Sequence, residues 1–384
     1  MRVKIIKMSY ALPLTIDFNK SHGSYLVDKN STEEYLDFFN MYSSLPLGYN
    51  HPIFDESFKK KVHEISYIKM ANNVCKSDEI VEFIDLFKRY TFSDNFHFTS
   101  TGALAVEAAL KTAMHYKKVN NPMVISVKNS FHGVYSWGFS TSEVGITAKR
   151  MEYFPKNHWL DLELDEIIEY LNTQDLQDLT AIIIEPIQAT NGDIYLDKKK
   201  LQTIRKLCTQ KDICFIFDEI QTGFGTSGKM WYYEHLDIVP DILIFGKKVQ
   251  VSGIIIDNKY KEILEDPYQK LAVTFDGELI DIVRATYILK GFQQYNILEN
   301  VTRFSKILKD ALKHKVLNYR SVGALIAFDF ETQMQRDAFI KESFKNHFLV
   351  NKAGEKTVRL RPNLALSNQE IETFLTKFKK VYQN

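Results

Sequence analysis

Phe215-Ile216-Phe217-Asp218-Glu219-Ile220-Gln221-Thr222-Gly223 reads as a short apolar strand that runs into a carboxylate. A continuous apolar run bounded by a turn suits a strand buried on both faces, as in a parallel sheet, better than one with a face open to water. Pro240-Asp241-Ile242-Leu243-Ile244-Phe245-Gly246-Lys247-Lys248 repeats the pattern and ends on Gly and Lys. Met123–Val127 and residues 181–184 are further strands of this kind, and the opening run reads as one strand over residues 213–217. Between the strands lie residues 103–116, 162–171 and 198–209, whose apolar side chains recur at helical spacing. This strand–helix alternation predicts an α/β fold, a mostly parallel sheet with helices on both faces.

Outward from that centre the pattern changes. After about residue 285 a helix over 303–314, a strand over 324–330 and a closing helix over 368–381 describe a smaller α+β unit. A chain of 384 residues exceeds one ordinary core, yet it has no linker-like run of Gly, Ser or Pro and no internal repeat. We therefore expect interwoven domains: residues 1–45 as the N-terminal part of a small domain, 46–285 as the large domain, and 286–384 as the rest of the small one.

Bulk charge narrows the partners. Lys and Arg (49) nearly cancel Asp and Glu (48), so no global field draws in nucleic acid or an anionic membrane, and a small molecule becomes the expected partner. The three cysteines lack CxxC spacing, which suits a reducing compartment. The first 18 residues carry Lys4 and Lys7 among short apolar pieces and lack a continuous apolar core, so the expected location is the cytoplasm.

Four pieces carry chemistry, and each alone has a plainer structural reading. Asp218 stands at the carboxyl end of a strand, where α/β sheets collect ligands, although acids there often only cap a turn. Lys247 and Lys248 follow another such strand. Beside an apolar site either one would lose hydration as a cation, which frees a neutral amine for Schiff-base formation; most lysines merely coat surfaces. Ser100-Thr101-Gly102-Ala103 opens an Ala-rich helix, so its turn can cap that helix or cradle a phosphate at the positive end of the helix dipole. Asn129-Ser130-Phe131-His132-Gly133 follows a strand and offers Phe131 as a ring on which a planar heteroaromatic cofactor can stack, with His132 a secondary candidate.

In this order the four pieces resemble the class III aminotransferases, the ornithine and 4-aminobutyrate type of the fold-type I pyridoxal-phosphate enzymes. The likeness also includes Leu47-Gly48-Tyr49-Asn50-His51-Pro52, Ile184-Glu185-Pro186-Ile187-Gln188, Gly223-Phe224-Gly225 and Arg359-Leu360-Arg361-Pro362. Phe245 to Gly253 and Asp281-Ile282-Val283-Arg284-Ala285 look like the lysine 6-aminotransferase branch. The resemblance implies that Lys247, which directly follows the Gly, carries pyridoxal 5'-phosphate as a Schiff base. It also implies that Asp218 pairs with the ring nitrogen and Gln221 with the phenolic oxygen. Thr101, Gly102 and Ala103 become the phosphate turn, Phe131 the stacking ring, and Glu185 and His132 cofactor neighbours. Thr274 resembles a threonine that reaches the phosphate of a neighbouring subunit, which implies a homodimer with shared sites. Arg359 resembles the arginine that clamps an oxo-acid carboxylate. No metal is implied.

Two positions depart from the resemblance. Lysine-type relatives have Arg directly after Phe-His-Gly where this chain has Val134, and a glutamate where it has Thr190. Loss of both implies an amine donor other than free lysine, one without a free α-carboxylate or with that group in a conjugate, and an oxo-acid acceptor. The relatives' usual Gly and Asn are here Asp276 and Glu278. Competing expectations are racemisation, decarboxylation or elimination on the same cofactor, a non-catalytic cofactor-binding scaffold, and a nucleotide site at Gly223-Phe224-Gly225-Thr226-Ser227-Gly228-Lys229. In the last of these, Met230 stands where a P-loop needs Ser or Thr.

Overall fold

The computed structural model describes residues 11–72, 74–143, 158–266 and 271–382. Its centre is a seven-stranded sheet in the order Asn95–Thr99, Ser252–Ile256, Ile242–Phe245, Cys214–Asp218, Leu179–Ile184, Met123–Val127 and Trp159–Leu162. Ser252–Ile256 runs antiparallel to both of its neighbours; the four adjacent pairs from Ile242–Phe245 to Trp159–Leu162 are parallel. The sheet is therefore mixed. Its antiparallel strand is short and apolar like the others, and apolar content carries no direction, so nothing in the residues marks the reversal.

Both faces of the sheet are apolar, which explains the continuous apolar runs. Ala181, Ile183, Cys214, Ile216, Ile242 and Ile244 face Ala105, Ala109 and Ala113 of helix Gly102–Lys117, whose small side chains let the helix lie close. Ile182, Ile184, Phe215 and Phe217 face Leu201, Ile204 and Cys208 of Lys198–Lys211 and Ile167 and Leu171 of Leu164–Thr173. Each such side chain contributes roughly 1.5–3 kcal/mol on burial.

Strands from the two ends of the chain meet in a second sheet: Tyr25–Val27 pairs with Glu34–Asp37, and Leu36 and Asp37 pair with Phe348 and Leu349. A four-stranded antiparallel sheet runs in the order Leu317–Val322, Leu325–Asp329, Thr357–Leu360, Asn351–Ala353. The helix expected from residue 303 spans Ile297–Leu312. Its buried stripe, Ile297, Val301, Phe304, Leu308 and Leu312, starts a turn and a half earlier than the expectation. Residue 285 lies inside helix Leu279–Gln294, which packs on Asp78–Phe87 and Glu56–Ile65.

Register brings the chemistry to one edge of the main sheet. Ile244 pairs with Asp218, Phe245 with Gly253, Ser252 with Thr99, and Ile184 with Phe217. Ser100, Asp218, Glu185 and Gly246-Lys247 thus emerge side by side.

Candidate active site

A cavity of about 210 Å³ opens at that edge, lined by Gly102, Ala103, Phe131, His132, Gly133, Glu185, Ala189, Thr190, Asp218, Ile220, Gln221 and Lys247. Nine of the residues singled out in the sequence are therefore together. Thr101 caps the adjoining helix, its hydroxyl accepting from the Leu104 N–H at 3.3 Å. In the first turn that follows, backbone N–H groups point out of the helix with no carbonyl behind them. Ile220 closes on this turn so tightly that a Cβ on Gly102 would sit 2.9 Å from its Cδ1.

The lysine loop resolves the choice between two neighbours. Lys247 takes a left-handed backbone, φ +47°, straight after Gly246, and its side chain lines the cavity. Lys248 turns the other way, buried, and donates from Nζ to the Ser43 carbonyl at 2.8 Å and to the Ser43 hydroxyl. Burial brings the Lys247 amine down to about 8; Asp218 works against that shift and Arg359 adds to it. A neutral amine is then accessible near neutral pH.

Across the cavity, Nδ1 of His132 lies 2.9 Å from Oδ2 of Asp218, and the Ile220 N–H donates to Asp218 Oδ1 at 3.1 Å. Glu185 accepts from the Phe131 N–H at 2.8 Å. Burial above all pushes its carboxyl up to about 7; His132 opposes the shift and Asp218 reinforces it. The side-chain oxygen of Gln221 and Nε2 of His132 are buried without a partner among the described residues. Buried polar atoms of this kind call for a hydrogen-bonding ligand.

Arg359 stands behind the lining, with Nη1 donating to the Ala189 carbonyl at 2.9 Å and Nε buried without a partner. Burial, and next the positive Arg361, lower its guanidinium to about 10. Arg361 itself pairs with buried Asp193. Neither residue of that pair was singled out in the sequence, although the two-residue spacing of Arg359 and Arg361 in an extended stretch puts both on one side. Arg359, with no carboxylate partner among the described residues, is the guanidinium left to meet an anionic ligand.

The structure leaves Val134 and Thr274 outside the lining. Val134 is 44% exposed beside Gly133. Thr274 is exposed in a segment held to the phosphate turn by the Ser100 hydroxyl, which donates to the Phe275 carbonyl at 2.6 Å. The acids that depart from the resemblance nearby have local tasks. Asp276 Oδ2 accepts from the Val273 N–H at 2.7 Å, and Glu278 caps helix Leu279–Gln294 by accepting from Ile280 and Asp281. Residues 223–229 form turns and bends packed against Phe292, Leu298 and the Gly323-Ala324 turn. A Cβ on Gly225 would meet Phe292 at 2.6 Å, and the Thr226 carbonyl accepts from Ala324. This is a packing contact, not the opening turn of a helix.

Comparisons with known proteins give the family. The family model "Aminotransferase class-III" matches residues 7–382. An L-lysine-epsilon aminotransferase of Mycobacterium bovis is 31% identical, over 94% of this chain and 90% of the relative. A [LysW]-aminoadipate semialdehyde/glutamate semialdehyde transaminase of Sulfolobus acidocaldarius is 30% identical, over 96% and 95%. The solved lysine aminotransferase from M. tuberculosis in the internal aldimine form superposes with a TM-score of 0.91 at 28% identity, covering 98% of this chain and 96% of that one. The chain belongs to the class III aminotransferases, fold type I enzymes that use pyridoxal phosphate to move an amino group. Its likeness is to lysine-epsilon aminotransferases, and the comparisons favour amino transfer over racemisation, decarboxylation, elimination or a scaffold role. Among the described residues no helix is long and apolar enough to cross a membrane.

Proposed function

We propose that Lys247 holds the cofactor covalently and moves the proton during amino transfer, and that the donor is an amine without a free α-carboxylate. The observation that carries this reading is the pairing of Lys247 with Asp218 in one cavity, while Lys248 is tied elsewhere. Bound pyridoxal phosphate supplies the electron sink that stabilises charge on the substrate carbon after its proton leaves.

The chain's own residues do the rest. Asp218, oriented by His132, holds positive charge on the ring nitrogen. Gln221 would offer its amide N–H to the ring's oxygen, and Phe131 would cover the ring face. N–H groups at Gly102 and Ala103, with the helix dipole, hold the phosphate. Lys247, freed as a neutral amine, would serve as the base that takes the proton from the substrate carbon and, once protonated, as the acid that gives it up again. Glu185, near its midpoint at neutral pH, adjusts the charge facing that amine. Arg359 receives the acceptor's carboxylate.

Donor choice follows from what surrounds Arg359. With Thr at 190, Arg359 has no acid neighbour there to mask it, and with Val at 134 the opposite rim has no second clamp. A donor whose far end is neutral or conjugated fits this arrangement. The Sulfolobus relative is named for a [LysW]-aminoadipate semialdehyde rather than for free lysine. The exposed Thr274 segment suits a homodimer in which it meets the phosphate turn of a second copy, and the composition suits the cytoplasm. An amine screen that follows loss of the visible cofactor absorbance tests the donor class, because a half-reaction needs no acceptor. Neutral-ended or conjugated amines are expected to react faster than free lysine. Free lysine with 2-oxoglutarate matching the best pair contradicts the donor assignment. Hydrodynamic mass tests the dimer, and cell fractionation the location.

A further inference from the structure

We propose that Lys248 is a positioning residue, which ties the loop of Lys247 to the turn Asn40–Ser43 and thereby sets how that turn stands towards Arg359. The proposal rests on Lys247 being the reactive lysine. Lys248 is 2% exposed, and among the described residues the charges that act on its amine are those of Arg361 and Lys247, with no carboxylate bonded to it. Nζ instead donates to the carbonyl of Ser43 at 2.8 Å and to its hydroxyl. Two residues on, Gln250 Nε2 donates to the Ser44 carbonyl at 2.6 Å and, at 3.3 Å, to the carbonyl of Lys247 itself. Two side chains of one short loop thus reach adjacent residues, Ser43 and Ser44, more than two hundred positions away in sequence.

The turn they hold is one that L residues resist. Asn40, Met41, Tyr42 and Ser43 have φ of +55°, +47°, +58° and +71°, a run of left-handed backbone. Its entry is pinned by Asp37, which accepts from Phe39 and Asn40 and from the Tyr49 hydroxyl. Its exit is held by Asn40 Nδ2 on the Leu45 carbonyl, and by Lys248 and Gln250 from across the chain. The turn presents Tyr42, exposed, in the neighbourhood of Arg359. Strain of this kind persists only where neighbours over-determine it. A buried amine that meets only a carbonyl and a hydroxyl is an expensive way to fill space, and it is accounted for by the turn it anchors.

The test uses holoenzyme and three readouts. Lys248→Met is expected to keep the visible cofactor absorbance and the covalent label on Lys247, and to raise the KM for the oxo acid roughly tenfold while kcat moves by about twofold or less. Chymotrypsin should also cut K248M holoenzyme after Tyr42 severalfold faster than the wild type, a readout independent of activity. Gln250→Ala, which buries no cavity, should shift KM and cleavage in the same direction by less, and it decides the matter if K248M does not fold. Unchanged KM and cleavage in both variants, or a loss confined to kcat, overturns the proposal. If the label in wild-type enzyme is not on Lys247, the functional reading itself fails; if it is there and KM stays put, only the role of Lys248 fails.

Discussion

Nδ1 of His132 and Oδ2 of Asp218 are 2.9 Å apart, both side chains buried at the inner wall of the cavity. With Ile220 donating to the other oxygen, the carboxylate has a fixed direction before any ligand arrives. A hydrogen bond to a charged group contributes about 1.5–3 kcal/mol, so His132→Phe should slow amino transfer roughly 10–150-fold. Asp218→Ala removes the charge itself and should cost about 10²–10³-fold or more. Single-turnover absorbance kinetics measure both, and a His132→Phe enzyme with wild-type rates would show that the pair is only structural.

Glu185 links the site to stability. Its carboxyl is raised from 4.5 to about 7 in the fold, mainly by burial. Between those values the folded chain holds a proton that the unfolded chain has released. Stability from this group is therefore full below pH 4.5 and is lost as pH rises towards 7, by on the order of 3 kcal/mol. Glu185→Gln cannot lose that proton. The wild-type minus Glu185→Gln difference in unfolding free energy should fall across this window, as measured by denaturant titration at several pH values; a flat difference contradicts the raised carboxyl.

Arg359 has a backbone carbonyl as partner and an unpartnered Nε. Losing a carboxylate clamp of about 1.5–3 kcal/mol, Arg359→Met should raise the KM for an oxo acid roughly 10–150-fold. The half-reaction with an amine that carries no carboxylate should stay near the wild-type rate. Equal loss in both half-reactions would assign Arg359 to packing alone.

Much of this was legible in the residues because two simple patterns met. Apolar runs at 213–217 and 242–245 marked where strands end, and in a parallel sheet strand ends are where ligands gather, so Asp218 and Lys247 stood out together. The hydroxyl-and-glycine turn at 100–103 could be read from helix-capping chemistry. The choice of Lys247 over Lys248 came from resemblance, since position in sequence says nothing of which way two adjacent side chains turn. The antiparallel Ser252–Ile256, the Arg361–Asp193 pair and the left-handed turn at 40–43 were hidden for a common reason. Each is set by partners far away in the chain, and local propensity carries no trace of them.

Donor selectivity can be engineered if Val134 and Thr190 set it. Val134→Arg with Thr190→Glu supplies a second clamp and an acid to mask Arg359. The double variant should gain about tenfold or more in kcat/KM for free lysine relative to a neutral-ended amine. Paired half-reaction rates read this ratio, and an unchanged ratio would place selectivity elsewhere in the cavity.

The most direct measurement is borohydride reduction of the native enzyme followed by peptide mass analysis. A pyridoxyl group on the Nζ of Lys247, absent from Lys248 and lost in Lys247→Ala, is the expected result. A label on Lys248, or a Lys247→Ala enzyme that still incorporates the label, would contradict the account at its base.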